Sequence, residues 1–363
     1  MALPPSFVTG TQTAGFVPTL NAPLQDRLRK SSFRGAFLHM GIALADLTQI
    51  AEDPDRDSPF SVPFGGANLD LEMAVFSLAK IAAMFAAFRL RERVRLAAAA
   101  VGSAAKNADE MVEKIASEWK PLVSAKISKP PQDFPDLKHI FDFGPASPWI
   151  PKFKDGGRDW KALTPFHESA TAATLEFMDR MRLMIRFSDN LAAGSCVRDI
   201  GFQYMNGALA DDGFSRGGLN GILWLGGDYG FKRVSPIMGA PDWDHGQGAT
   251  WVRANAKGIA SFLTFVWTNR LVKQDPSASG EMRDILLERP GVGFGTNLRN
   301  STPNVVRAWS KVGLGSNISE GVIIQCNTGS GLIRYAGVGL GGSDRQVMKE
   351  LAGIFFDVIK ALH

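Results

Sequence analysis

The chain has 363 residues, 45% of them apolar and 21% charged, with a formal net charge of +4 spread along its length. That balance fits a globular protein with material for a sizeable core and argues against a disordered or fibrous chain. The densest basic run, "RLRERVRL" (89–96), has no aromatic-studded stripe beside it. It reads as the solvated end of a helix, not a nucleic-acid surface.

In chain order, residues 1–30 are irregular apart from a short helical piece around "LQDRLRK". "FLHMGIALADLT" (37–48) and "SPFSVPFGG" (58–66) read as strands separated by the turn-rich "AEDPDRD". From Met73 the pattern changes: "AVFSLAKIAAMFAAFRL" is almost uniformly apolar and predicts a helix buried on most sides. Residues 106–175 form an excursion dense in Pro and aromatics, including Trp119, Phe134, Phe141, Phe143, Trp149, Phe153 and Trp160. It reads equally as a lid, a self-association surface or a packed decoration.

Helical patterning returns at "TAATLEFMDRMRLMIRF" and runs through "NLAAGSCVRDIGFQYMNGAL". A Gly-rich irregular stretch (211–248) precedes a further helix at "TWVRANAKGIASFLTFVWTNRLV". "VVRAWSKVGLG", "EGVIIQCNTG" and "GLIRYAGVGLGG" read as a three-stranded antiparallel meander, and an amphipathic helix closes the chain. The predicted fold class is α+β: an antiparallel sheet built from both chain ends, flanked by helices, with an all-helical lobe inserted. The expected organisation is a single catalytic domain over 1–363. Its sheet lobe is about 30–70 and 300–363, and its helical lobe about 71–299 with the extra 106–175 segment.

Three short motifs fall on these elements. "SLAK" places Ser77 and Lys80 three residues apart on one helix face at the start of the buried helix. A serine hydroxyl needs a base, and a desolvated lysine supplies one because burial lowers its pKa. Ser188-Asp189-Asn190 breaks an apolar run between two helices, as a cap or as a cleft wall. Lys311-Val312-Gly313 lies on the first strand of the meander, where glycine permits close approach of another backbone. Each motif alone is uninformative.

Their order and placement resemble the signature of penicillin-recognising serine enzymes, class A β-lactamases in particular. The strand–turn–strand lengths after Lys311 and the terminal helix extend the likeness over roughly 35–363, apart from the excursion. The resemblance implies Ser77 as the acylated nucleophile and Lys80 as its base. Ser188, aided by Lys311, would pass a proton to the leaving nitrogen, and Asn190 would hold a substrate amide. The backbone N–H groups of Ser77 and Leu314 would form the oxyanion hole, while Asp189 would be structural.

Three departures bear on the substrate. Val312 stands where the family has Thr or Ser, and Glu320 stands in the register where many members carry an arginine. Both changes disfavour a substrate carboxylate and suit a partner that is neutral or cationic at that end, with Gly313 and Asn190 completing the binding wall. The bland reading of Glu320 is an exposed glutamate at a strand start. The third departure is the missing omega-loop glutamate: no Glu lies between Glu176 and Glu281. Asp228, Asp242 and Asp244 are the carboxylates of 217–248, and Asp242 and Asp244 are the candidates for activating a deacylating water.

The expected function is therefore a serine hydrolase or acyltransferase on a small amide or ester, distinct from an ordinary β-lactamase. The alternatives are a slow or non-catalytic penicillin-binding-like protein and an atypical β-lactamase. No cofactor or metal is expected, since the histidines lack ligand spacing, and no nucleic acid. Homo-oligomer formation is left open. Cys196 and Cys326 read as buried thiols. The N-terminus carries no signal-peptide pattern, which leaves a cytoplasmic protein, or an exported one whose signal has been removed. No run is apolar enough to span a bilayer.

Overall fold

The computed structural model describes residues 15–50, 61–101, 105–126, 135–144, 150–157, 175–215, 218–226, 252–272, 274–287 and 304–363. The first part of the chain gives β1 (Phe16–Val17), α1 (Asn21–Lys30), α2 (Arg34–Phe37), β2 (Gly41–Asp46), β3 (Val62–Ala67) and β4 (Met73–Ala74). The inserted block then runs through α3 (Lys80–Val101), α4 (Ala108–Lys126), α5 (Leu137–Ile140), β5 (Phe141–Phe143) and β6 (Pro151–Phe153). It continues with α6 (Phe177–Arg186), α7 (Asn190–Ile200), α8 (Phe202–Asp211), β7 (Leu223–Leu225), β8 (Val252–Ala254), α9 (Ala256–Trp267) and α10 (Ala278–Leu286). The last part is β9 (Val305–Leu314), β10 (Ile318–Thr328), β11 (Gly331–Gly342) and the terminal helix α11 (Arg345–Lys360).

Both chain ends build one six-stranded sheet in the order β1-β3-β2-β11-β10-β9. Every pair in it is antiparallel except β1 with β3, which is parallel. The fold class is the α+β arrangement expected from sequence. The apolar run in β2 reflects a strand covered on both faces. Ala43 and Ala45 enter the core shared with the inserted block, while Ile42 and Leu44 enter a second core under α1 and α11. Asp344 caps α11 by accepting from the N–H groups of Gln346 (2.7 Å) and Val347 (3.1 Å), which starts the helix against that second core.

The inserted block is helical except for two small sheets, β4-β8-β7 and β5-β6. Its axis is α3, buried without a break from Lys80 to Glu92, which is why its sequence shows no polar face. The helical run 190–211 divides at Gly201, whose φ of 80° is the left-handed excursion that separates α7 from α8. Where the excursion is described, its aromatic side chains pack on the helical block. The Phe153 ring stacks on Phe141 (5.4 Å) and Phe177 (5.6 Å) and meets Phe88 edge-on. Phe134, Trp149, Trp160 and the Trp119 side chain lie outside the described residues. Cys196 and Cys326 are both free and buried.

One expectation is overturned. The basic run 89–96 is not a solvated helix end: Arg89, Arg91 and Glu92 are buried. Arg89 pairs with Glu92 and with Asp212 at 2.8 Å, and Arg91 with Asp275 (2.6 Å) and Glu281 (2.7 Å). Paired carboxylates allow guanidinium groups to stay charged inside the block. Their partners come from distant parts of the chain, so local patterning could not reveal them.

Candidate active site

The site begins at the turn between β4 and α3. Residues Phe76–Ala79 form a 3-10 turn leading directly into α3, so Ser77 lies just ahead of the α-helix instead of in its first turn. In a 3-10 turn residues i and i+3 eclipse, which keeps Ser77 and Lys80 on one side. Ser77 is half-buried, whereas Lys80 is completely enclosed. Phe76 holds a φ of 46°, a strained conformation for a bulky residue. Its surroundings account for the strain: the N–H of Leu78 donates to Val75 O (3.0 Å), and the Phe76 ring packs against Gly315. No sequence signal marks Phe76, because nothing about a phenylalanine announces a left-handed backbone.

The second element is the junction of α6 and α7. Asp189 donates its backbone N–H to Leu183 O (3.2 Å), and its carboxylate accepts from the N–H of Ala192 (2.7 Å), capping α7. Ser188, between the helices, has a φ of 58°. The break read from sequence as either cap or cleft wall is thus a cap at Asp189. Its neighbours point elsewhere. Lys80 Nζ donates to Ser188 O (2.6 Å), to Asn190 Oδ1 (2.7 Å) and, at longer range, to Asp189 O (3.4 Å).

The third element is the end of β9, an edge strand of the large sheet. Lys311 Nζ donates to Ser188 Oγ and to Val312 O (3.0 Å). Ser188 therefore touches both lysines, through its carbonyl to Lys80 and through its hydroxyl to Lys311. A Cβ added at Gly313 would stand 2.0 Å from Val75 O and 2.8 Å from the nitrogen of Leu78. Only glycine lets β9 press this closely on the turn that carries Ser77. Leu314, the next residue, is 39% exposed at the strand end.

Val312 faces Glu320 across the β9–β10 ladder. Glu320 is fully buried, so the reading of it as an exposed glutamate at a strand start is corrected. Its neighbour across the other ladder is Gly339, against which Leu351 and Met348 of α11 pack. Asp228, Asp242 and Asp244 lie outside the described residues. Among the described residues no group of three His, Cys, Asp or Glu side chains could hold a metal ion. No described helix is long and apolar enough to cross a membrane.

The electrostatics follow from burial. Desolvation lowers the Lys80 pKa to about 7, and the nearby charge of Asp189 only partly opposes it. Lys311 is held well below the ordinary lysine range by burial and by the proximity of Lys80. Near neutral pH the site therefore offers an amine able to take a proton beside a hydroxyl hydrogen-bonded to a second amine.

No family model matches this chain, and no curated protein matches it by sequence. Solved structures do match. A class A β-lactamase from Bacteroides cellulosilyticus is 10% identical, with 95% of this chain and all of that chain (100%) covered at a TM-score of 0.51. An acyl-enzyme complex of a PBP-A variant with penicillin G is 13% identical, with 95% and 98% covered at 0.50. The TLA-3 extended-spectrum β-lactamase is 12% identical, with 92% and 97% covered at 0.50. The chain thus has the fold of the serine β-lactamase and penicillin-binding protein superfamily. At these identities the likeness concerns the fold, and the chemistry rests on the residues of this chain.

Proposed function

We propose that the protein is a serine hydrolase or acyltransferase that forms an acyl ester on Ser77. The observation that carries this reading is the hydrogen-bonded cluster of Lys80, Ser188, Asn190 and Lys311 beside the half-buried Ser77 turn. Lys80, with a pKa of about 7, takes the Ser77 Oγ proton as that oxygen attacks the carbonyl carbon. The resulting oxyanion lies between the N–H groups of Ser77 and Leu314, where each such donor is commonly worth about 3 kcal/mol. The bond to the leaving nitrogen or oxygen breaks as Ser188 Oγ delivers its proton there. Lys311, which donates to the Ser188 hydroxyl, restores its proton, and the proton held by Lys80 passes through solvent to Lys311, which closes the balance. Asn190 orients the substrate amide while its Oδ1 stays on Lys80.

The acyl ester is then released to water or to another nucleophile. The sequence lacks the omega-loop glutamate that speeds this step in class A enzymes, so deacylation is the slow half of the cycle. That feature separates this protein from an ordinary β-lactamase and favours the reading of a long-lived acyl-enzyme. The test is intact mass after exposure to a fluorophosphonate, a penicillin and a simple ester, on wild type and on Ser77→Ala. One adduct on the wild type and none on the variant is expected. Absence of any wild-type adduct sinks the proposal, and rapid penicillin turnover removes the distinction from a β-lactamase.

A further inference from the structure

Ser188 and Lys311 meet in the site from elements far apart in the chain. Ser188 sits at the junction of α6 and α7, and Lys311 on the edge strand β9. The end of α10 touches both. On one side Arg186, two residues before Ser188, donates from its guanidinium to Asp284 O. That carbonyl lies in the last turn of α10, where backbone acceptors lack helical partners and a cation is favoured. On the other side Leu287, which ends α10, forms an antiparallel bridge with Trp309. Trp309 lies two residues before Lys311, on the same face of β9. The turn itself is anchored. Leu287 N–H donates to Arg283 O (2.8 Å), and the Arg283 guanidinium donates to Val266 O (2.9 Å) and Trp267 O (3.3 Å) at the end of α9. The Trp267 ring in turn packs on Trp309 at 5.7 Å.

We infer that Arg186 is a positioning residue: through Asp284 O it braces the α6–α7 junction against β9 and so keeps the Ser188 hydroxyl at Lys311 Nζ. The inference rests on the acyl-serine reading and adds the residue that aligns its proton donor. The step that depends on the brace is proton delivery. Ser188 Oγ gives its proton to the leaving atom as the acyl bond breaks, and Lys311 supplies the replacement. Both transfers need hydrogen-bond distance. Ser188 has a φ of 58°, a conformation that persists in a serine only where its surroundings determine it. Without the Arg186 donor, Asp189 still accepts from Ala192 N–H and caps α7, so the helices remain. The loss falls on the alignment of Ser188.

The test compares acylation by two esters of one acyl group, 4-nitrophenyl phenylacetate and 4-methoxyphenyl phenylacetate. The nitrophenolate leaves without a proton, whereas the methoxyphenolate leaves faster when one is supplied. The nitro-to-methoxy ratio of acylation rates therefore reports proton delivery. Damage to the Ser77 turn or to the fold slows both esters alike and leaves the ratio unchanged. Rates are taken per fluorophosphonate-reactive molecule, so an unfolded fraction drops out. Ser188→Ala should raise the ratio by at least about tenfold, the scale of a lost general acid on a weakly basic leaving group. Arg186→Met should raise it about fivefold, as a small misplacement of the donor would. Arg186→Lys keeps a donor for Asp284 O and should stay within about twofold of wild type. A ratio raised by Ser188→Ala and unchanged by Arg186→Met overturns the brace and leaves the mechanism in place. A ratio unchanged in both removes Ser188 as the proton donor, and the brace with it. An Arg186→Lys ratio as high as that of Arg186→Met overturns the contact with Asp284 O as the cause.

Discussion

Helix α3 carries two buried basic sites about three turns apart, and they behave in opposite ways. At its start, Lys80 is enclosed and donates to the carbonyls of Ser188 and Asp189 and the amide oxygen of Asn190. Its pKa falls to about 7. Further along, burial would also depress Arg89 and Arg91. Asp212 and Glu92 beside the first, and Glu281 and Asp275 beside the second, reverse this and raise both above the usual value. Enclosure is common to both sites, and the partner decides the outcome. Neutral oxygens leave an amine ready to give up its proton, whereas carboxylates fix a permanent cation that ties helices together. On the proposed function, one site reacts and the other holds.

The largest expected break in this comparison comes from Lys80→Met. Removing the base should slow acylation of Ser77 by about 10³-fold, within the range usual for a general base. The variant should melt no lower than wild type, because a desolvated amine is replaced by an apolar chain of similar length. Stopped-flow acylation and a thermal melt read the two effects separately. The second break is Arg91→Met, which leaves Asp275 and Glu281 facing an apolar chain. It should destabilise the fold by about 3 kcal/mol, as expected when one partner of a buried pair is removed. Acylation per folded molecule should stay within about threefold of wild type. Denaturant titration with fluorophosphonate labelling of the folded fraction tests both halves. A stability loss in Lys80→Met larger than in Arg91→Met would reverse the assignment of roles.

The candidate site was far more legible in the sequence than the arginine network, for a physical reason. Ser77 with Lys80, Ser188 to Asn190, and Lys311 to Gly313 are short local clusters whose chemistry is visible at fixed spacing. The meander strands announced the placement of the third cluster. The Arg89–Arg91 network has no such signature. Its carboxylates, Asp212, Asp275 and Glu281, come from the end of α8, the loop before α10 and α10 itself. A run of four arginines looks solvated until those partners are in place. Helix α10 likewise carries little local signal, because "ASGEMRDIL" is short and mixed in polarity. The positive φ of Phe76 and Ser188 has no local signature either, since neither residue type favours that conformation.

The finest test converts the candidate site into a copy of the arginine network. Asn190→Asp replaces the amide oxygen on Lys80 with a carboxylate, in the position where Oδ1 already accepts at 2.7 Å. On the proposed mechanism, acylation of Ser77 in the wild type requires neutral Lys80. The rate should therefore rise with pH, about tenfold per unit below pH 7, and level off above the pKa of about 7. A carboxylate at hydrogen-bond distance favours the ammonium and raises the pKa, typically by 1–3 units. The ascending limb should move alkaline by at least about one unit, with the plateau reached only above about pH 8. Stability changes in the opposite sense. In the wild type the unfolded lysine binds a proton up to its ordinary pKa while the folded one has released it, so stability rises with pH above about 7. Raising the folded pKa narrows that window and flattens the slope contributed by Lys80. Acylation rate against pH from 5.5 to 9.5, followed by intact mass, gives the limb directly. A limb that stays at pH 7 in Asn190→Asp would mean that another group controls the Ser77 proton.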